Sequence, residues 1–239
     1  ITEAKEVYQK KIKKLAADLH KPEINVAFDY PYEDPDAPEI SEKEEADLAV
    51  YVLSRNSGEG KDRDCRKGDY LLTDREEANL RYITEHYEKS IVLLNTGGII
   101  DTSFLRSLKN LNAFMIIGQT GSEGGHIVAD VLIGKTIPSG KLTDTWAKDY
   151  YDYPSSADYS HNNGDVNDEY YKEDIFVGYR YFDTFDVEPA YCFGYGKTYT
   201  EFTIRPDQVE LYNGYLVFWV EVTNSGKEYA GKEVIQVYV

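Results

Sequence analysis

The chain has 239 residues, with 26 basic and 43 acidic side chains and a net charge of −17. Such a surface repels nucleic acid and anionic membranes, so neither is expected as a partner, and no apolar run approaches the ~18 residues of a membrane span. With 41% hydrophobic and 29% charged residues the chain can bury a core, and its length fits one large domain or one domain and part of a second. Cys65 and Cys192 are the only cysteines; they allow one disulfide but no disulfide framework, and no Cys/His cluster has metal-site spacing. No metal or other cofactor is expected, and a reducing setting fits.

The chain opens with Ile-Thr-Glu. Residues 3–19 are lysine-rich and show helical periodicity, with Val7, Ile12, Leu15 and Leu19 on one side. They have no apolar leader or cleavage site, which slightly favours a cytoplasmic location, and the opening without Met leads to the expectation of a fragment. An acidic connector broken by Pro31, Pro35 and Pro38 follows, from Asp29 to Glu45. Residues 46–53 (ADLAVYVL) form an almost continuous apolar run, the pattern of a strand buried on both faces of a parallel sheet. Thr73 is placed to cap a helix over Asp74–Glu88, with Glu76 completing a capping box and Leu80 and Ile83 facing inward.

Residues 91–95 (IVLLN) predict a second buried strand, and a shorter helix is expected over Ser103–Leu108. A third strand follows at residues 113–117 (AFMII), then a glycine-rich turn at Gly121–Gly125 and a helix over Ile127–Ile133. This alternation predicts an α/β fold with a doubly wound, mostly parallel sheet. From Tyr150 to Glu173 the chain is polar and aperiodic, a length of loop that is usually functional or wraps another domain. Tyrosine occurs 22 times, with many between Tyr150 and Tyr199; its flat apolar face and polar edge suit sugar rings as well as loop packing. Alternation at residues 215–222 and 233–239, around an Asn224-Ser225-Gly226 turn, predicts the start of a β-sandwich. The division expected is a helix and connector (1–45), an α/β domain (46–149), a Tyr-rich loop and linker (150–200) and an incomplete β-sandwich (201–239).

Ligands of such sheets bind at the carboxyl ends of the strands. There the first recognisable strand leads into Ser57-Gly58-Glu59-Gly60, with Asp62-Arg63 close behind. Glycines on both sides free the backbone to project one carboxyl group, and a single protonated carboxyl is what glycosidic cleavage needs at the leaving oxygen. From spacing alone, a charged surface loop is the plainer account. The 118–125 turn is neither a Walker loop nor G-x-G-x-x-G and reads as tight helix packing. His20, His86, His126 and His161 are scattered, so a Ser/His/Asp hydrolase has no support.

Taken together these motifs resemble glycoside hydrolase family 3. Ser57–Gly60 with Asp62-Arg63 is similar to that family's acid/base loop. Gly121, Glu123-Gly124-Gly125, residues 129–134 (ADVLIG) and residues 138–142 (PSGKL) are similar to its G-x-E-x-G, ADVL-x-G and PSG-[KR]-L signatures. Residues 177–183 (VGYRYFD) and 193–200 (FGYGKTYT) resemble two more, with Lys197-Thr198 departing from the usual Leu-Ser. The resemblance runs from about Asp47 onward.

It implies that Glu59 is the catalytic acid/base of a retaining β-glycosidase, most plausibly a β-glucosidase acting on terminal β-D-glycosyl residues of oligosaccharides or aryl β-glycosides. It further implies a fibronectin III-like β-sandwich after the α/β domain, and an aspartate nucleophile on a barrel domain of the same enzyme, without which this segment is inactive. No substrate-binding residue is assigned. Arg63 and Lys61 would oppose protonation of Glu59, so they are expected to point away or to pair with Asp62 and Asp64. Arg180 is expected to anchor the long loop to the α/β layer, and Tyr159 and His161 to border the cleft without an assigned role. A non-catalytic carbohydrate-binding or scaffolding module is the alternative.

Overall fold

The computed structural model describes residues 26–29, 39–56, 62–161 and 163–238. The helix expected over residues 3–19 lies outside them, as do residues 57–61 with Glu59, and Asn162.

Four parallel strands form one sheet in the order β1-β2-β3-β4: β1 (Val26–Asp29), β2 (Leu48–Arg55), β3 (Lys89–Thr96) and β4 (Ala113–Ile116). The three central apolar runs are strands, as the sequence predicts. β1, a strand of four residues that takes in Asp29, the first residue of the expected connector, is an additional parallel neighbour of β2. The order runs without reversal, so no topological switch point falls between the described strands.

Alternation along β2 sends side chains into two separate cores. Ala49, Tyr51 and Leu53 join Val92 and Leu94 beneath helix α1 (Asp74–His86) and helix α2 (Ser103–Ser107), meeting Leu80, Ile83 and Leu105. Val50, Val52 and Leu93 face the other way, against Val128 and Ala129 of helix α3 (Gly124–Leu132). Helices thus cover both faces, and a strand covered on both faces reads as an unbroken apolar run. α1 begins with the expected capping box: Thr73 Oγ1 accepts the Glu76 N–H at 3.1 Å, and Glu76 Oε2 accepts the Thr73 N–H at 2.8 Å. The glycine-rich turn does pack a helix closely: Gly124 is buried, and a Cβ there would collide with the Thr120 side chain.

The 177–183 segment, expected as part of a linker, contains helix α4 (Tyr179–Thr184). Its Phe182 is 2% exposed and meets the Tyr153 ring edge-on at 5.9 Å. Residues 142–146 and 191–195 then run antiparallel, with Leu142 N–H to Tyr195 O at 2.9 Å, Gly194 N–H to Leu142 O at 2.8 Å and Trp146 N–H to Tyr191 O at 2.9 Å. Gly196 is glycine because a Cβ would strike the Gly140 carbonyl. Two signatures far apart in sequence are thereby joined along their backbones.

Beyond them, β5 (Phe202–Tyr212) and β6 (Tyr215–Asn224) form an antiparallel hairpin. Asn213 (φ 50°) and Gly214 (φ 82°) close it, an Asn-Gly pair suited to a tight two-residue hairpin turn. The register shifts between Pro206 and Gln208, next to a proline that has no N–H for the ladder. An α/β unit followed by a small antiparallel sheet is the predicted fold class. Residues 233–238, predicted as part of a strand, are not in one, and they pair with neither open edge of the β5–β6 hairpin. Among the described residues no helix is long and apolar enough to cross a membrane, and no His/Cys/Asp/Glu group could hold a metal ion. Both cysteines are free thiols.

Candidate active site

The parallel sheet aims the carboxyl ends of β2 and β3 at one edge. Ser54 and Arg55 end β2 in register with Asn95 and Thr96 of β3, and Asn95 Nδ2 donates to Ser54 Oγ at 3.4 Å. The chain leaves this edge at Asn56 and returns at Asp62; Glu59 stands between, outside the described residues. The residues on either side of that segment are held by side-chain hydrogen bonds.

Arg55 is 4% exposed. Its guanidinium donates to both Glu76 oxygens (Nη1 to Oε1 2.6 Å, Nη2 to Oε2 2.7 Å) and to three carbonyls: Asp69 (Nε, 2.9 Å), Ser54 (Nη1, 2.8 Å) and Leu71 (Nη2, 3.3 Å). A buried guanidinium has to be neutralised and its donors filled, and this one is. The arrangement ties the end of β2 to the start of α1, where Glu76 already closes the capping box.

The returning stem has its own partners. Arg63 Nη1 donates to Asp69 Oδ1 at 3.2 Å, and Nη2 reaches across the loop to the Asn56 carbonyl at 3.3 Å. Asp69, 8% exposed, also accepts the Asp64 N–H on Oδ2 at 2.9 Å. The Tyr159 hydroxyl, from the long polar loop, donates to Asp62 Oδ1 at 3.0 Å. Burial and this carboxylate push the Tyr159 phenol up from its ordinary pKa, so it stays a donor.

The expected pairing of Arg63 with Asp62 or Asp64 is therefore corrected. Asp62 holds Tyr159, Asp64 lies 3.3 Å from Arg66 Nε, and Arg63 goes to the more deeply buried Asp69, whose carboxylate has the greater need of a counter-ion. Lys61 lies outside the described residues. Arg180 is exposed and stands over the ring of its neighbour Tyr179, at 5.0 Å; burial of Phe182, not Arg180, holds that segment down.

An aromatic wall flanks the stems. Buried Tyr70 meets Tyr150 edge-on at 5.1 Å, and Tyr150 meets Tyr151 at 5.6 Å. Burial raises the Tyr70 pKa far above its ordinary value. The Cys65 thiol is also raised, by burial first and then by the Asp149 and Asp101 charges, which makes it a poor nucleophile. Tyr151 and Tyr159 remain open to solvent, at 74% and 45% exposure, and offer faces that a sugar ring can stack on. His126 is exposed on α3.

Asp69 carries no mark in the sequence, and Glu76 is marked there only as a helix-capping residue. Only a charged residue closing an apolar strand, at Arg55, hinted at a paired buried ion. The Tyr159–Asp62 contact joins residues 97 apart and left no sequence signal.

Comparison with known proteins decides the family. The model of the glycosyl hydrolase family 3 C-terminal domain matches residues 3–179. The chain belongs to that family. The match starts well before Asp47, so the N-terminal stretch without recognised motifs belongs to the family domain too. The chain is 43% identical over 197 residues to a beta-glucosidase of Ruminococcus albus, covering 82% of this chain and 20% of the relative. It is 35% identical to beta-glucosidase A of Butyrivibrio fibrisolvens, covering 81% and 28%.

Among solved structures, beta-glucosidase 3B of Thermotoga neapolitana in complex with glycerol matches with a TM-score of 0.73 and 38% identity, over 92% of this chain and 31% of that one. A beta-glucosidase of Paenibacillus barengoltzii matches with a TM-score of 0.71 and 39% identity, over 78% and 20%. The chain thus spans less than a third of the length of each of these family 3 proteins.

Proposed function

We propose that this chain supplies the general acid/base, Glu59, to a retaining β-glucosidase whose nucleophile stands on a barrel domain outside these residues. What supports the proposal is that the glycine-flanked Glu59 follows in sequence on the carboxyl end of β2, and that Asn56 and Asp62, on either side of the 57–61 segment, are both held by hydrogen bonds. The setting is a family 3 domain whose relatives are named beta-glucosidases. The division at about residues 45, 149 and 200 into connector, α/β domain, Tyr-rich loop and fibronectin III-like sandwich belongs to the same proposal.

In the first step Glu59 gives its proton to the glycosidic oxygen as the C1–O bond breaks and an aspartate oxygen bonds C1. In the second, the Glu59 carboxylate takes a proton from water, which attacks C1 and releases the sugar. Retention requires the two carboxyl groups ~5–5.5 Å apart. The acid must be protonated at the outset, so a cation beside it would be harmful. The substrate proposed is an oligosaccharide or aryl β-glycoside with a terminal β-D-glucosyl group, with Tyr151 and Tyr159 as candidate stacking faces.

Substitution Glu59→Gln in the complete enzyme tests this. Loss of a positioned acid costs about 10²–10⁴ in rate, and kcat/KM for alkyl β-glucosides should fall by that much. Unchanged kcat/KM on such unactivated substrates would refute the role. A carbohydrate-binding or scaffolding module would show no hydrolysis in the complete protein at all.

A further inference from the structure

Between Val166 and Val177 five large side chains, Val166, Tyr170, Tyr171, Ile175 and Val177, are each more than half exposed. Soluble proteins rarely leave such a stretch in water unless something covers it, and the proposed chemistry makes no use of it. The stretch is nonetheless shaped. Asp165 Oδ1 accepts the Asn167 and Asp168 N–H groups at 3.0 and 3.3 Å, and the Asp165 N–H donates to Asn163 Oδ1 at 2.9 Å. The Lys172 N–H reaches the Tyr170 carbonyl at 2.9 Å, and the Lys172 ammonium pairs with Asp158, which brings the ends of the loop together. A compact loop closed at its neck is an Ω-loop, and a surface formed in advance loses less freedom on docking. Tyrosine is also a side chain that interfaces favour, because it adds contact area with few rotamers.

The base of this loop is tied to one place. Tyr159, next to Asp158, donates to Asp62 Oδ1 at 3.0 Å, and Arg63, next to Asp62, reaches the Asn56 carbonyl just beyond the end of β2. The loop therefore stands beside the carboxyl edge of the sheet. A second domain has to approach that edge if its nucleophile is to lie ~5–5.5 Å from an acid carried there. More than two thirds of each family 3 relative lies outside the part that this chain matches. We propose that residues 165–175 are the docking surface for the barrel domain, with Val166, Tyr170 and Tyr171 packing on an apolar patch of it. Asp165, Asp168 and Glu169 give the loop an acidic rim, which fits a basic rim around that patch. The inference rests on the barrel of the proposed function and not on the identity of the acid.

The complete enzyme supplies the test. Tetranitromethane nitrates accessible tyrosine rings, and mass spectrometry reads the rate at Tyr171, which is 87% exposed in this chain. Docked on the barrel, Tyr171 should react at least about 10-fold more slowly in the native enzyme than in the urea-unfolded one. A charge placed in a docked apolar face is rejected. Tyr171→Asp should therefore lower kcat/KM on an aryl β-glucoside about 10–100-fold by displacing the barrel, whereas Tyr171→Phe keeps the ring and should stay within about 2-fold. On a loop left in solvent neither substitution has an effect of that size.

Nitration of Tyr171 in the native enzyme at the unfolded rate, or full activity of Tyr171→Asp, would overturn the inference. So would protection that vanishes on dilution, which would give the face to a second copy of the enzyme. Glu59→Gln measured alongside keeps the two readings apart. It should remove acid catalysis and leave Tyr171 protected; if hydrolysis survives that substitution while the protection stands, the acid/base assignment fails and the docking surface does not.

Discussion

The parallel sheet and the β5–β6 hairpin are opposite solutions to ordering strands. β2 and β3 bury apolar side chains on both faces, and Leu53, Val92, Leu93 and Leu94 are fully buried. The hairpin has a ladder from Phe202–Asn224 to Tyr212–Tyr215, interrupted at Pro206–Gln208, yet Leu211, Leu216 and Trp219 are 75%, 53% and 55% exposed. An isolated two-stranded hairpin is marginal in water, so this one contributes backbone pairing without core. Its neighbourhood meets the α/β unit through contacts that include the Tyr199 hydroxyl to the Val131 carbonyl at 3.2 Å, Lys141 to Glu233 at 3.0 Å and the Tyr179 ring against Tyr238 at 5.6 Å. The lesson is that hydrogen-bonded strands alone do not mark the stable part of this molecule. The site stands on the region that is buried on both faces.

Four substitutions sharpen or break that contrast. Removing one partner of a buried pair leaves a naked charge, so Arg55→Ala should lower unfolding free energy by about 3–5 kcal/mol in a urea titration; a loss below about 1 kcal/mol would mean that the sheet edge does not depend on it. Leu93→Ala opens a cavity between β2 and α3 and should cost about 3 kcal/mol by the same measurement. Thr73→Ala removes half of the α1 capping box and should cost about 1 kcal/mol. Trp219→Ser in the hairpin should change stability by no more than about 0.5 kcal/mol. A Trp219 effect as large as that of Leu93 would show that the hairpin shares the core after all.

The part of the fold with burial on both faces was also the part most readable in sequence. Apolar runs at 46–53 and 91–95 pointed to β2 and β3, and Thr73 with Glu76 marked the start of α1. β1 escaped because four residues are too few for a pattern. α4 escaped because six residues rich in aromatics show no helical period. The Asn213-Gly214 pair is a legible hairpin-turn signal. Residues 233–238 have the alternation of a strand, but whether they join an edge depends on the rest of the structure.

For the proposed site, local sequence points to Glu59, while the contacts of the residues on either side of it are hidden. Asp69 lies six residues from Arg63, Glu76 twenty-one from Arg55, and Tyr159 ninety-seven from Asp62. Such ion pairs and hydrogen bonds follow from burial and tertiary proximity, which no spacing rule encodes.

The acid/base role of Glu59 is tested most directly by chemical rescue. In Glu59→Ala of the complete enzyme, turnover of dinitrophenyl β-glucoside should stall at the glycosyl-enzyme, because water has lost its base. Azide, which needs none, should restore kcat and yield β-glucosyl azide with retained configuration. Failure of azide to raise kcat, or a product of inverted configuration, would contradict the account.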